Sequence, residues 1–148
     1  MEIRTHRLEV PTRGFCDIVD VTPQIRDLVR GEGLKEGSLL LFMGGATAGV
    51  TTIEFEPGAV GDLRAALERI APTSIPYAHD ARWGDGNGFS HVRAALLKAS
   101  LEIPVSEGEL LLGTWQQAVV CDFDNRPRRR EFVCQLRGIF SEAGSRVR

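Results

Sequence analysis

Polar and apolar side chains alternate from the start of the chain. Ile3, Thr5, Arg7 and Glu9 stand against Arg4, His6, Leu8 and Val10, a period of two that predicts an N-terminal strand over residues 1–10, with Pro11 suited to its end. Phe15 to Val21 (FCDIVDV) continues as a short strand. Thr22 then reads as an N-cap with Pro23 at the first helical position, and Ile25, Leu28 and Val29 form the buried stripe of a helix ending at Gly31 or Gly33. Glu36-Gly37 predicts a turn. Ser38 to Met43 is an unbroken apolar run, the pattern of a central strand covered on both faces. Gly44-Gly45-Ala46 breaks it, and Val50 to Phe55 predicts a further, β-branched strand. Beyond Pro57-Gly58 an amphipathic helix sets Ala59, Leu63, Ala66, Leu67 and Ile70 on one side until Pro72 ends it.

The stretch from Pro76 to Ser100 holds two of the three histidines, Trp83, and a glycine-dense loop at Gly84 to Gly88. A helix follows, with Ser90 as its N-cap and Val92, Ala95, Leu96 and Ala99 as its buried stripe. Leu101 to Val105 is a strand that Pro104 assigns to an edge or a bulge. After a turn at Gly108-Glu109, Leu110 to Phe123 is the longest β segment, with Trp115 in phase with Leu111, Val119, Cys121 and Phe123. Asp124 to Pro127 connects it to Arg128 to Ile139, where Phe132, Cys134 and Leu136 alternate against Glu131 and Gln135. Residues 141–148 read as a frayed tail. Two to three helices among at least six strands, without regular βαβ alternation, indicate an α+β fold: a single domain over residues 1–148, built as a mixed or antiparallel sheet sandwich.

Composition narrows the partners. With 148 residues, 43% hydrophobic and 26% charged, the chain is an ordinary globular one, and its net charge of -2 provides no general attraction to nucleic acid or to an anionic membrane. The densest basic patch, Arg126 and Arg128 to Arg130, lacks interleaved aromatics, so neither nucleic acid nor membrane is expected as a partner. It reads as a solvated hairpin tip, with Arg128 as a candidate for phosphate contact. No apolar run reaches the ~20 residues of a membrane span, and no signal core opens the chain. Three cysteines with no close pair, Cys16, Cys121 and Cys134, point to reduced thiols and a cytoplasmic protein, with Cys121 and Cys134 packed rather than reactive.

The candidate chemistry gathers in the histidine-containing stretch. Three glycines within five residues, Gly84, Gly86 and Gly88, make either a tight turn or, ahead of a helix, a cluster of N–H groups suited to an anion. Asp85, Gly86, Asn87, Gly88 and Ser90 are therefore candidate phosphate contacts. His79 and His91 are too far apart for one helical face or an HExxH zinc motif, yet the loop between them lets them converge. With Asp80 or Asp85 they form a candidate open divalent site, for zinc or magnesium. No four-ligand structural zinc set, EF-hand, P-loop or Rossmann fingerprint is present. Gln116 and Gln117 point to opposite faces of their strand, and Gln116 is the one assigned to a pocket.

Four segments, ATAGVTTIEFEPG, YAHDARWGDGNGFSH, IPVSEGELLLGTWQQ and CDFDNRPRRR, together resemble the YjbQ-like family in order and spacing, from about Phe15 to Gly138. That family is described as having secondary thiamine-phosphate synthase activity. The resemblance implies a compact α+β domain, a homotrimer with active sites near subunit boundaries, and histidines around a small polar pocket that takes a metal ion or an anion. It places His79 and His91 in catalytic or metal-binding positions and implies a small phosphorylated ligand. The chain departs from the family at one point. Where members commonly carry His-Thr-Thr-Ala, this chain has Gly45-Ala46-Thr47-Ala48, which keeps Thr47 but leaves two motif histidines, unless His6 or a carboxylate substitutes.

Overall fold

The computed structural model of the chain describes residues 1–142. Its elements are β1 (Glu2–Thr12), β2 (Asp17–Asp20), α1 (Thr22–Glu32), β3 (Leu34–Met43), β4 (Ala48–Ile53), α2 (Pro57–Ile70), α3 (Ala78–Trp83), α4 (Gly88–Leu97), β5 (Ser100–Ser106), β6 (Glu109–Leu110), β7 (Gln117–Asp122) and β8 (Arg128–Phe140). A five-stranded sheet, ordered β1-β8-β3-β5-β6, packs against a three-stranded sheet, β2-β7-β4, and every pairing is antiparallel. The main core lies between the sheets, closed at one end by Ile25 and Val29 of α1. A second cluster, with Ile18, Val119, Cys121 and Phe123, lies on the other face of β2-β7-β4 beneath Val60 and Leu67 of α2 and Ala94 of α4. The α+β reading of the sequence holds, with four helices among the described residues rather than two or three. Of the tail read as frayed, residues 143–148 lie outside the described residues.

Several local expectations are corrected. Thr22 does not cap α1 but lies within it, because its hydroxyl is engaged with β7, accepting from Ala118 N–H at 2.8 Å. Glu36-Gly37 is not a turn. β3 runs through it with a bulge between Leu34 and Glu36, and Gly37 faces Gly138 of β8. Their φ values are +149° and +153°, and a Cβ on either would come within 1.9 Å of a carbonyl oxygen across the ladder, an approach that only glycine allows. β3 is central in its sheet, yet only one of its faces is covered: Leu39, Leu41 and Met43 are buried while Phe42 is 43% exposed. The run from Leu110 to Phe123 is interrupted because Gln116 closes a turn onto Gly113, donating from its N–H and accepting at Oε1, each at 3.0 Å. The break removes Trp115 from the core phase and leaves it 73% exposed.

The helix α4 also differs from the periodic reading. It starts at Gly88, ahead of the expected cap, with Ser90 buried in its first turn. The buried side carries Phe89, Ser90, Arg93 and Ala94, whereas Leu96 is 57% exposed and Val92 also faces outward. The cause is Arg93, 2% exposed, whose guanidinium donates to the carbonyl of Ala71 at 2.9 and 3.0 Å and to Glu68 at 2.6 Å. A paired arginine can occupy a core position that apolar periodicity assigns to other residues.

The three cysteines are free and buried. Burial pushes each thiol up, Cys134 to about 12. A folded pKa above the unfolded ~8.5 means the stabilisation is complete below ~8.5 and lost as pH rises toward the folded values. Urea midpoints should therefore fall between about pH 8 and about pH 10, each thiol contributing up to ~1.4 kcal/mol per pH unit. Cys134→Ala should flatten that fall, and an unchanged slope would assign it to other groups.

Candidate functional site

Three connections meet at one end of the three-stranded sheet. The β3–β4 loop brings Ala46 and Thr47, and the α3–α4 region brings His79, Trp83, Asp85, Asn87 and His91. The β7–β8 connection brings Asp124, Asn125 and Arg126, with Arg128 at the start of β8. Together they line an open polar hollow of about 680 Å³.

Among the residues singled out by sequence, Thr47, His79, Asp85, Asn87, His91 and Arg128 line this hollow. Gly86 and Gly88 shape its wall. Gly86 has φ +68°, and a Cβ on Gly88 would come within 2.4 Å of Tyr77 Cβ. The Gly88 N–H donates to Asp80 Oδ1 at 2.8 Å, tying the start of α4 to α3. Ser90 turns inward, its hydroxyl donating to the carbonyl of Asn87 at 2.5 Å. Gln116 does not line the hollow. It lies toward the other end of β4, donating to Thr52 Oγ1 at 3.0 Å.

The two imidazoles are adjacent, with ring centroids 4.1 Å apart and planes tilted by 36°. His79 Nδ1 lies 3.4 Å from Asp85 Oδ1 and 3.6 Å from Asp80 Oδ1. Donor atoms of His79, Asp80 and Asp85 fall within 4.8 Å of one another, so one imidazole nitrogen and two carboxylates could share a divalent cation. His91 contributes its ring beside that set rather than a fourth member of it. Trp83, at the rim, is 66% exposed.

Beneath the hollow is a charged network that the sequence reading missed. Asp122, with a fully buried side chain, receives Arg130 in a bidentate pair, Nε to Oδ2 and Nη2 to Oδ1, both at 2.8 Å. Thr12 Oγ1 donates to the same carboxylate. Arg130 Nη2 also donates to Thr47 Oγ1 at 2.7 Å, and Thr47 donates onward to Asp124 Oδ2 at 3.1 Å. Asp124 further accepts from Asn125 N–H at 2.8 Å and Asn87 Nδ2 at 3.2 Å, with Arg128 Nη2 at 3.3 Å. Burial pushes the Asp124 carboxyl up, but the Asn125 N–H, the Asn87 amide, the Thr47 hydroxyl and Arg128 together outweigh it and hold it below its ordinary value. A signal for Arg130 was available, since it is in phase with Phe132, Cys134 and Leu136 on the buried face of β8.

The chain from residue 6 to residue 139 matches the family model described as UPF0047 protein YjbQ-like. It is 31% identical over 138 residues to a UPF0047 protein of Methanothermobacter thermautotrophicus, covering 93% of this chain and 94% of that protein. It is 38% identical over 113 residues to a UPF0047 protein of Mycobacterium bovis, covering 76% and 85%. Among solved structures, a YbjQ-like protein of Sulfolobus solfataricus superposes with a TM-score of 0.85 at 28% identity, covering 90% of this chain and 96% of that one. A protein of the YjbQ/UPF0047 family from Clostridium acetobutylicum does so with a TM-score of 0.80 at 28% identity, covering 88% and 99%.

The buried pair yields a stability test. Arg130→Met, which strands the Asp122 charge, should cost ~3–5 kcal/mol in urea unfolding, whereas adding Asp122→Asn should recover much of that loss. Additive single and double losses would show that the pair carries no coupling.

Proposed function

The chain belongs to the YjbQ-like UPF0047 family, and from that premise we propose that its histidine-lined hollow joins a thiazole phosphate to a pyrimidine pyrophosphate, as a thiamine-phosphate synthase does. One observation carries the reading: two adjacent imidazoles, an exposed indole and two arginines converge on a single polar hollow. Trp83 offers a flat surface for a heterocycle, and Arg126 and Arg128 suit phosphate oxygens. In the reaction the thiazole nitrogen attacks the carbon bearing the pyrophosphate. The C–O bond breaks, and its electron pair departs with the pyrophosphate, whose charge must be neutralised. His79 and His91 orient a phosphate or give a proton to the leaving group. A magnesium or zinc ion on His79, Asp80 and Asp85 would supply further charge neutralisation when bound.

A second reading, a non-enzymatic trimeric protein that binds a phosphorylated ligand or a metal, is favoured by Gly45. This residue adopts φ +118°, so a histidine there would be strained, and the neighbouring Ala46 presents no donor. In either reading the chain assembles as a homotrimer, which would cover the exposed apolar stripe of Val92 and Leu96 on α4. The buried free thiols suit a cytoplasmic setting. Among the described residues no helix is long and apolar enough to cross a membrane.

Incubation with both substrates and magnesium, followed by chromatography, should give thiamine phosphate, and His91→Ala should slow its formation by ~10²–10⁴-fold. Tight binding of either substrate without product would favour the binding protein. Light scattering should give about three times 16.3 kDa. Leu96→Glu should reduce that mass to one chain, and a monomeric parent protein would refute the assembly.

A further inference from the structure

The ion pair with Asp122 does not use all of Arg130. A guanidinium carries five N–H donors. Nε and Nη2 of Arg130 deliver three of them, two to Asp122 and one to Thr47 Oγ1. Nη1 has no hydrogen-bond partner among the described residues, although the side chain is only 7% exposed. Nor is Nη1 sealed from water: the sealed, unpaired side-chain atoms among the described residues are His6 Nε2, His79 Nδ1 and Asn87 Oδ1. It opens beside the β3–β4 loop. A Cβ on Gly45 would stand 3.6 Å from Nη1 and meet nothing else within 4 Å beyond its chain neighbours, and one on Gly44 would meet nothing. The two glycines leave the space in front of a charged nitrogen unfilled. Gly44 and Arg130 also line a cavity of about 300 Å³ that shares only Arg128 with the hollow. Its charged lining is Arg7, Arg128, Arg129, Arg130 and one carboxylate, Glu131, which Arg7 holds at 2.8 Å. Arg129 is turned to Glu9, and Arg128 meets Asp124 at 3.3 Å. Each carboxylate near the cavity is thus engaged, whereas Nη1 is not.

We propose that this cavity is an oxyanion site, separate from the histidine-lined hollow, in which Arg130 Nη1 donates to an oxygen of a small tetrahedral anion such as phosphate, with Arg7 and Arg128 adding positive charge. The site goes beyond the function proposed above and does not depend on it. The ion pair with Asp122 holds the guanidinium rigid, so little side-chain entropy is lost when Nη1 binds. A charge-assisted hydrogen bond from a mostly buried nitrogen is stronger than one from a solvated arginine. Glycine at position 45 is a condition of the site, because any side chain there would stand against that nitrogen.

The test titrates inorganic phosphate into the chain by calorimetry. Arg126→Gln removes an arginine that lines the hollow but not the cavity, so phosphate bound by that variant reports on the cavity. Phosphate binding should persist there, and adding Gly44→Glu should weaken it by at least ~10-fold by placing a carboxylate in the cavity. Gly44 lies outside the left-handed region and has open space before it, so the exchange is compatible with the fold. Gly44→Gln, of like bulk without the charge, should weaken binding less. On the unmodified chain, phosphate should shift the Nη resonances of Arg130 in protein made with isotope-labelled arginine, a readout that needs no variant. Loss of all phosphate binding in Arg126→Gln, or equal affinity with and without Gly44→Glu, would overturn the site while leaving the reading of the hollow intact. Arg130 resonances that stay in place at saturating phosphate would overturn it as well.

Discussion

The architecture turns on one buried ion pair. Asp122 ends β7 in the three-stranded sheet, and Arg130 lies near the start of β8 in the five-stranded sheet, so their bidentate contact joins the two layers at the pocket end. Taking both charges out of water costs several kcal/mol per ion, and the attraction offsets this only when the remaining donors and acceptors are satisfied. Here they largely are. Thr12 completes the carboxylate from β1, and Thr47 accepts the spare guanidinium hydrogen from the β3–β4 loop. Three segments distant in sequence, β1, the β3–β4 loop and the β7–β8 hairpin, are thus held by one pair, and the two connections it holds line the hollow. Such a pair is weak evidence for net stability, since apolar replacements of similar volume are often neutral or stabilising.

The regular fold was legible in sequence wherever one period governed one element. β1, β8 and the stripe of α1 follow from alternation or from the spacing of Ile25, Leu28 and Val29, because each has one face on the core. Reading failed where a polar contact outweighed the period. Arg93 is pulled under α4 by the carbonyl of Ala71 and by Glu68, which turns Val92 and Leu96 outward. Gln116 closes onto Gly113 and ends a strand that composition alone would have continued. Gly37 reads as a turn residue, yet its freedom serves a close strand crossing opposite Gly138. The pairings of Arg93 and Gly37 are invisible to a local pattern, since Ala71 and Gly138 are distant from the residues they constrain.

The pocket shows the same division. The residues of its histidine wall are adjacent along the chain and the glycines there mark an unusual backbone, so sequence alone could group them. The opposite wall depends on tertiary geometry. Asp124 reads as a turn residue and Arg130 as part of a solvated basic tip, yet both are buried and each determines the state of the other's neighbours. The phase of Arg130 with Phe132 was the available clue, and the charge of the side chain argued against it.

Gly45 links that network to chemistry. Its φ of +118° belongs to glycine, and its Cβ position would lie 3.6 Å from Arg130 Nη1. A side chain at position 45 would therefore need a different loop path beside the guanidinium that positions Thr47. The glycine and the relay act together: the loop gives up a side chain at 45 and keeps the Thr47 hydroxyl between Arg130 and Asp124. Asp124 in turn holds the Asn87 amide, so the wall without a histidine still controls the wall that has two. The loop that carries Gly45 thus acts on the rest of the hollow through a chain of hydrogen bonds, from Arg130 through Thr47 and Asp124 to Asn87.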